Sequence, residues 1–137
     1  NLKDWGGPVK YVRTLEQVII AVLAGIGIDA HGESGNTGVW TDQGKIAAIG
    51  VKISRGIAFH GLALNVNTDL SYYQNIIPCG IADRPVTSMA SILDRPVDMA
   101  LVRYALVCQF GSVFGFRMED GWTATNSLFC SLLHPHN

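Results

Sequence analysis

At 137 residues, with 48% apolar and 15% charged positions, the chain has the makeup of one folded domain, 1–137, able to bury a sizeable core. A formal net charge of -1 without any block of like charge removes the electrostatic reason to expect nucleic acid or an anionic membrane surface. The longest apolar stretch, Val18 to Ile28, is interrupted by Gly25 and Gly27 and falls short of the roughly 20 residues that cross a bilayer, so it reads as a core helix.

The chain opens on Asn1 rather than Met, with no basic flank, apolar core and cleavage site in sequence, so no secretory signal is expected and a piece of a longer protein is a natural reading. After Trp5-Gly6-Gly7-Pro8, apolar residues recur at Val12, Leu15, Val18, Ile19, Val22, Leu23 and Ile26, which predicts an amphipathic helix ended by Gly25 and Gly27. His31 to Gly38, rich in Gly, Ser, Asn and Thr, reads as an exposed loop. A short strand at Val39 to Thr41 leads through the turn Asp42-Gln43-Gly44 to Lys45. Lys45 to Ser54 and Ile57 to Asn65 then predict an antiparallel pair joined at Arg55-Gly56.

Asp69 to Asn75 predicts one or two helical turns, Thr87-Ser88 a cap on a short helix to about Leu93, and Pro96 to Phe114 a less regular helix. There is no internal repeat or low-complexity stretch, and Gly121 to Pro135 shows no clear period. Three cysteines, Cys79, Cys108 and Cys130, are an odd number without CxxC spacing, which argues against a disulfide scaffold and a zinc site and for a reducing compartment.

Two residues stand out chemically. Cys79 sits between Pro78, which restricts the backbone, and Gly80, which allows a turn beside the sulfur; it is either a small buried hydrophobe or a nucleophile on a pedestal. Lys45 heads an apolar strand, either as a solvated edge residue or as a cation that stabilises a thiolate and shuttles a proton. His60-Gly61-Leu62-Ala63-Leu64-Asn65 and Gly50 lack bulk where a ligand can approach the backbone; the alternative is a tightly packed crossing with a hydrogen-bonded His60. His31, His134 and His136 lack metal-ligand spacing, Gly35-Asn36-Thr37-Gly38 is too short for a phosphate loop, and no G-x-S-x-G element occurs.

With these residues in hand the sequence resembles the lipoyl(octanoyl) transferase family, acyltransferases of lipoate biosynthesis related in fold to lipoate and biotin protein ligases. The resemblance runs through Tyr11-Val12-Arg13-Thr14-Leu15-Glu16, Thr37-Gly38-Val39-Trp40, Lys45 to Val51, His60 to Asn65, Pro78-Cys79-Gly80-Ile81 and Thr87-Ser88, about two-thirds of the chain, and fades beyond about Met118. It implies an α+β fold with a mixed or antiparallel sheet flanked by helices. It implies Cys79 as the acyl-thioester nucleophile, Lys45 as its activator, and substrate contacts at Ala48, Ile49, Gly50, His60, Gly61, Leu62 and Ala63.

The implied donor is octanoyl-acyl carrier protein, and the implied acceptors are lipoyl domains of 2-oxoacid dehydrogenase complexes and the glycine cleavage H protein. No cofactor or metal is implied, because a thioester arrives already activated; a cytoplasmic setting follows, or a mitochondrial or plastid one in a eukaryote. Family members also carry an Arg-Gly-Gly segment leading to Tyr-His-Gly-Pro-Gly ahead of the first helix, which this sequence lacks. A fragment with an exposed sheet edge and an incomplete pocket is therefore expected. The competing reading is a non-catalytic or partner-dependent scaffold of the same fold. An ATP-dependent ligase is the weaker third, since adenylation does not require the cysteine in Pro78-Cys79-Gly80.

Overall fold

The computed structural model describes residues 2, 6–75 and 84–118, with His60, Gln74 and Asn75 described by backbone alone. The first helix, α1, runs Pro8–Gly25, with Pro8 in its first turn, where the missing N–H costs nothing. Its end lies beyond Gly25: Gly27, at φ +86, turns the chain so that its N–H bonds to Ala24 O and the Ile28 N–H to Leu23 O. That paired closure, with Ile28 and Leu23 both in the core, stops the helix and sends the chain into the sheet.

Four antiparallel strands follow in sheet order β1-β2-β3-β4: β1 His31–Glu33, β2 Asn36–Thr41, β3 Gly44–Ser54 and β4 Ile57–Leu64. The expected loop at 31–38 is thus a hairpin, whose small polar residues hid strands formed by pairing with β2 and β3. A register shift in the β2–β3 ladder leaves Ile46 as an extra residue on β3, since Val39 faces Ala47 and Trp40 faces Lys45. The β3–β4 ladder is regular over eight pairs from Ala47↔Leu64 to Ser54↔Ile57.

After β4 come a 3-10 helix at Leu70–Asn75, then α2 Met89–Leu93 and α3 Met99–Phe114. Ser88 caps α2 by accepting the Ser91 N–H, as expected, while α3 starts three residues after Pro96 because Asp98 caps it by accepting the Ala100 N–H. Helices α1 and α3 pack together through Leu15, Val18 and Phe114, with Tyr11, Phe110 and Val113 around them. The main core joins Ile19 and Leu23 of α1 to Val39, Ile46 and Ala47 of the sheet, Met89 of α2 and Val102 of α3.

No helix among the described residues is long and apolar enough to cross a membrane. Cys108 on α3 is buried and disulfide-bonded, although the odd cysteine count without CxxC spacing argued against a disulfide scaffold.

Candidate functional site

Lys45 sits at the head of β3 and is fixed there from two directions. Its backbone N–H bonds to Pro85 O at 2.9 Å and its carbonyl accepts the Thr87 N–H at 2.9 Å, so residues 85–87 run parallel to β3 through a Lys45↔Val86 bridge. This is the parallel component of an otherwise antiparallel sheet. The same stretch is tied to Asn65, just past β4, whose Nδ2 donates to Thr87 O at 3.2 Å and whose carbonyl accepts the Met89 N–H at 2.9 Å. Thr87 and Ser88 are buried, so their polar groups have to be satisfied inside the protein.

The Lys45 side chain, half-buried, donates from Nζ to Thr37 O at 3.0 Å and lies 5.2 Å from the centre of the Trp40 ring. Gly38 makes room for it: a Cβ there would lie 2.6 Å from Lys45 Cε and 2.7 Å from Ala47 O. The Arg84 guanidinium also lies over Trp40, 4.3 Å from its centre, and forms a forked pair with Glu33, in which Nη2 donates to Oε1 at 2.7 Å. Arg84, with help from Asn36 Nδ2, holds the Glu33 carboxyl down at about 2 against the opposing effect of desolvation. That fork secures the approach of the chain to Val86, at a distance of 51 residues in sequence.

The expected substrate-contact residues divide between the two faces of the β3–β4 ladder. Ile49 and Leu62 pair with each other and pack against the helical core. Ala48 pairs with Ala63, and Gly50 with Gly61, on the opposite, open face, where a Cβ added at either glycine would meet nothing within 4 Å among the described residues. His60 faces Val51 in the register. The result is a strip of small residues that starts about 10 Å along β3 from Lys45. Cys79, with Pro78 and Gly80, lies outside the described residues; it stands seven positions before Val86 in sequence, the residue bridged to Lys45.

Three residues of this arrangement carried no role in the sequence reading: Glu16, Glu33 and Arg84. Glu16 had a visible signal, since it falls on the apolar stripe of α1 between Val12 and Ile19 and is only 2% exposed. Glu33 and Arg84 had none, because their pairing is a product of the fold.

The sheet and helices have the fold found in lipoate and biotin protein ligases. A lipoate-protein ligase A solved with bound ATP superposes with TM-score 0.67 at 22% identity, over 91% of this chain and 54% of the other. The apo biotin protein ligase of Aquifex aeolicus gives 0.58 at 20%, over 74% and 43%. The chain belongs to the lipoyl protein ligase A/B catalytic domain family, whose model matches residues 1–111. Proteins named octanoyltransferase are far nearer in sequence: that of Acidobacterium capsulatum is 47% identical over 82% of this chain and 49% of its own length. That of Solibacter usitatus is 48% identical over 88% and 54%. The chain therefore spans about half the length of these curated relatives.

Proposed function

We propose that this chain carries the acyl-transfer chemistry of an octanoyltransferase. The Cys79 thiolate attacks the carbonyl of an octanoyl thioester presented by acyl carrier protein, and the tetrahedral intermediate expels the carrier thiolate, which takes up a proton. The free amine of a lipoyl-domain lysine then attacks the Cys79 thioester, loses its proton, and releases Cys79 as thiolate with an amide formed. Lys45 is the group that keeps the thiolate charged and passes protons between these steps. The small strip Ala48, Gly50, Gly61 and Ala63 accommodates the octanoyl chain.

The observation that carries this reading is the clamping of Lys45 against residues 85–87, which anchors the strand segment downstream of Cys79 beside an ammonium held by Thr37 O. The affinity in sequence to proteins named octanoyltransferase supports it.

The test is intact-mass spectrometry in reducing buffer after incubation with octanoyl-acyl carrier protein, run beside Cys79→Ala and Lys45→Ala. A hydroxylamine-labile octanoyl adduct on the parent, absent from Cys79→Ala and slow to form on Lys45→Ala, is expected. An adduct that persists on Cys79→Ala would remove the nucleophile assignment. No adduct on a folded parent would favour the partner-dependent scaffold.

A further inference from the structure

Carboxylates are seldom buried without a partner that justifies their desolvation. Glu16 spends its two oxygens differently. Oε2 takes the Arg13 guanidinium at 2.6 Å, one turn away on α1, while Oε1 accepts the Gly38 N–H of β2 at 3.0 Å. That N–H belongs to the Thr37–Gly38 peptide group, and the other end of the same group, Thr37 O, accepts from Lys45 Nζ at 3.0 Å. A single planar unit therefore stands between the carboxylate and the ammonium, and in a trans peptide the two ends point opposite ways. Fixing the N–H fixes the aim of the carbonyl. An ionised acceptor on the N–H also shifts electron density toward the carbonyl oxygen, which makes it a better partner for a cation.

Among the described residues, this contact is the one that gives Lys45 direction. Trp40 offers its ring, but a cation over a π face is loosely positioned, and Arg84 lies over the same ring. Glu33, the nearby acid on β1, is committed to Arg84. Gly32 of β1 closes on Glu16 from the other side, where a Cβ would lie 3.1 Å from Oε2. The carboxylate thus has little room for any other arrangement.

We propose that Glu16 is the positioning residue for Lys45, holding its ammonium in one place through the Thr37–Gly38 peptide. This rests on the reading of Lys45 as activator of Cys79. A purely structural Glu16 would only need to satisfy a buried N–H, which a glutamine oxygen also does; a positioning Glu16 contributes its charge as well.

Two readouts separate these. The first is the NMR signal of the Lys45 ε-methylene or ammonium, in the parent, Glu16→Gln and Glu16→Ala. The second is the pH dependence of Cys79 alkylation by iodoacetamide in the same proteins and in Lys45→Ala. The Lys45 signal is expected to move toward that of an exposed lysine in Glu16→Ala and part of the way in Glu16→Gln. Alkylation near neutral pH is expected to fall about tenfold in Glu16→Ala, as the midpoint of the profile moves up by about one pH unit, and by less in Glu16→Gln.

Because Glu16→Gln keeps the acceptor, it preserves the fold if Glu16→Ala does not. A Lys45 signal unchanged in folded Glu16→Gln, with parent-like alkylation, overturns the proposal. A Lys45 signal that moves as expected, together with Cys79 reactivity that ignores Lys45→Ala, supports the link from Glu16 to Lys45 and sinks the activator reading alone.

Discussion

Replacing Gly38 with alanine puts a Cβ where Lys45 Cε lies 2.6 Å away and the Ala47 carbonyl oxygen 2.7 Å away. The lysine tail can swing aside, at the expense of its bond to Thr37 O. The Ala47 oxygen belongs to β3 and cannot retreat without opening the ladder. The φ of +133 at Gly38 adds strain for any residue with a side chain. Strain of about 1–3 kcal/mol and crowding of about 1–3 kcal/mol put the loss at about 2–6 kcal/mol. At about 3 °C per kcal/mol for a chain of this size, Tm falls by about 6–18 °C.

Gly35→Ala is the matched control, because Gly35 has φ +82 but no described residue within 4 Å of an added Cβ. It pays the left-handed strain alone, about 1–2 kcal/mol. Equilibrium urea unfolding of both variants, read as midpoint shifts at constant slope, isolates the contact contribution. Gly38→Ala is expected to lose more stability than Gly35→Ala and also to slow acyl transfer. Equal midpoint shifts would refute the argument that Lys45 and Ala47 fill the space at Gly38.

On the open face the balance is reversed. Gly50→Val and Gly61→Val meet no obstacle among the described residues and place a β-branched residue in a strand, so stability is expected to hold or rise by about 0.5–1 kcal/mol. Transfer from an octanoyl donor should nonetheless weaken through KM; unchanged KM in both would remove the acyl chain from that strip. The Glu33–Arg84 fork makes acid stability a second test. Glu33 has a folded value near 2, below the ordinary 4.5, so its contribution is fully present above about pH 4.5 and is lost as pH falls toward 2. Arg84→Gln should flatten that part of the acid-unfolding profile and return the Glu33 carboxyl, followed by NMR, toward its ordinary value. Ser88→Ala removes the cap of α2 at a buried position and should cost about 1 kcal/mol in urea unfolding, with α2 amides exchanging faster.

What the sequence discloses here is what is decided locally. The stripe from Val12 to Leu23, the proline at the start of α1 and the Ser88 cap each act within a turn of helix, so they read directly. The β3–β4 pair reads from its β-branched residues and its two-residue turn. The β1–β2 hairpin does not, because Gly32 and Asn36 have little strand preference and owe their extended conformation to pairing with Val39 and Glu33. The same division runs through the site. Lys45 announces itself as a charge at the head of an apolar strand, but its acceptor at Thr37, the Glu16 contact across 22 residues and the Arg84 fork across 51 exist only once the chain is folded.

The turn between β3 and β4 has a further consequence, for how the protein tolerates change. Arg55 and Gly56 both have positive φ, 52 and 78, the signature of a type I′ turn, in which arginine is a poor first residue. On the open face, the paired glycines and alanines offer almost no side-chain contacts to resist slippage, so alignment of the two strands rests on this turn, on Lys52 over the Phe59 ring next to it, and on pairs such as Ile49 with Leu62 beneath. An insertion of one residue at the turn would exchange the two faces of β4, lifting Leu62 into solvent and pressing Gly61 against the helices. Length changes here are therefore expected to be purged even though the loop is exposed, while substitution of Arg55 by asparagine is open to selection.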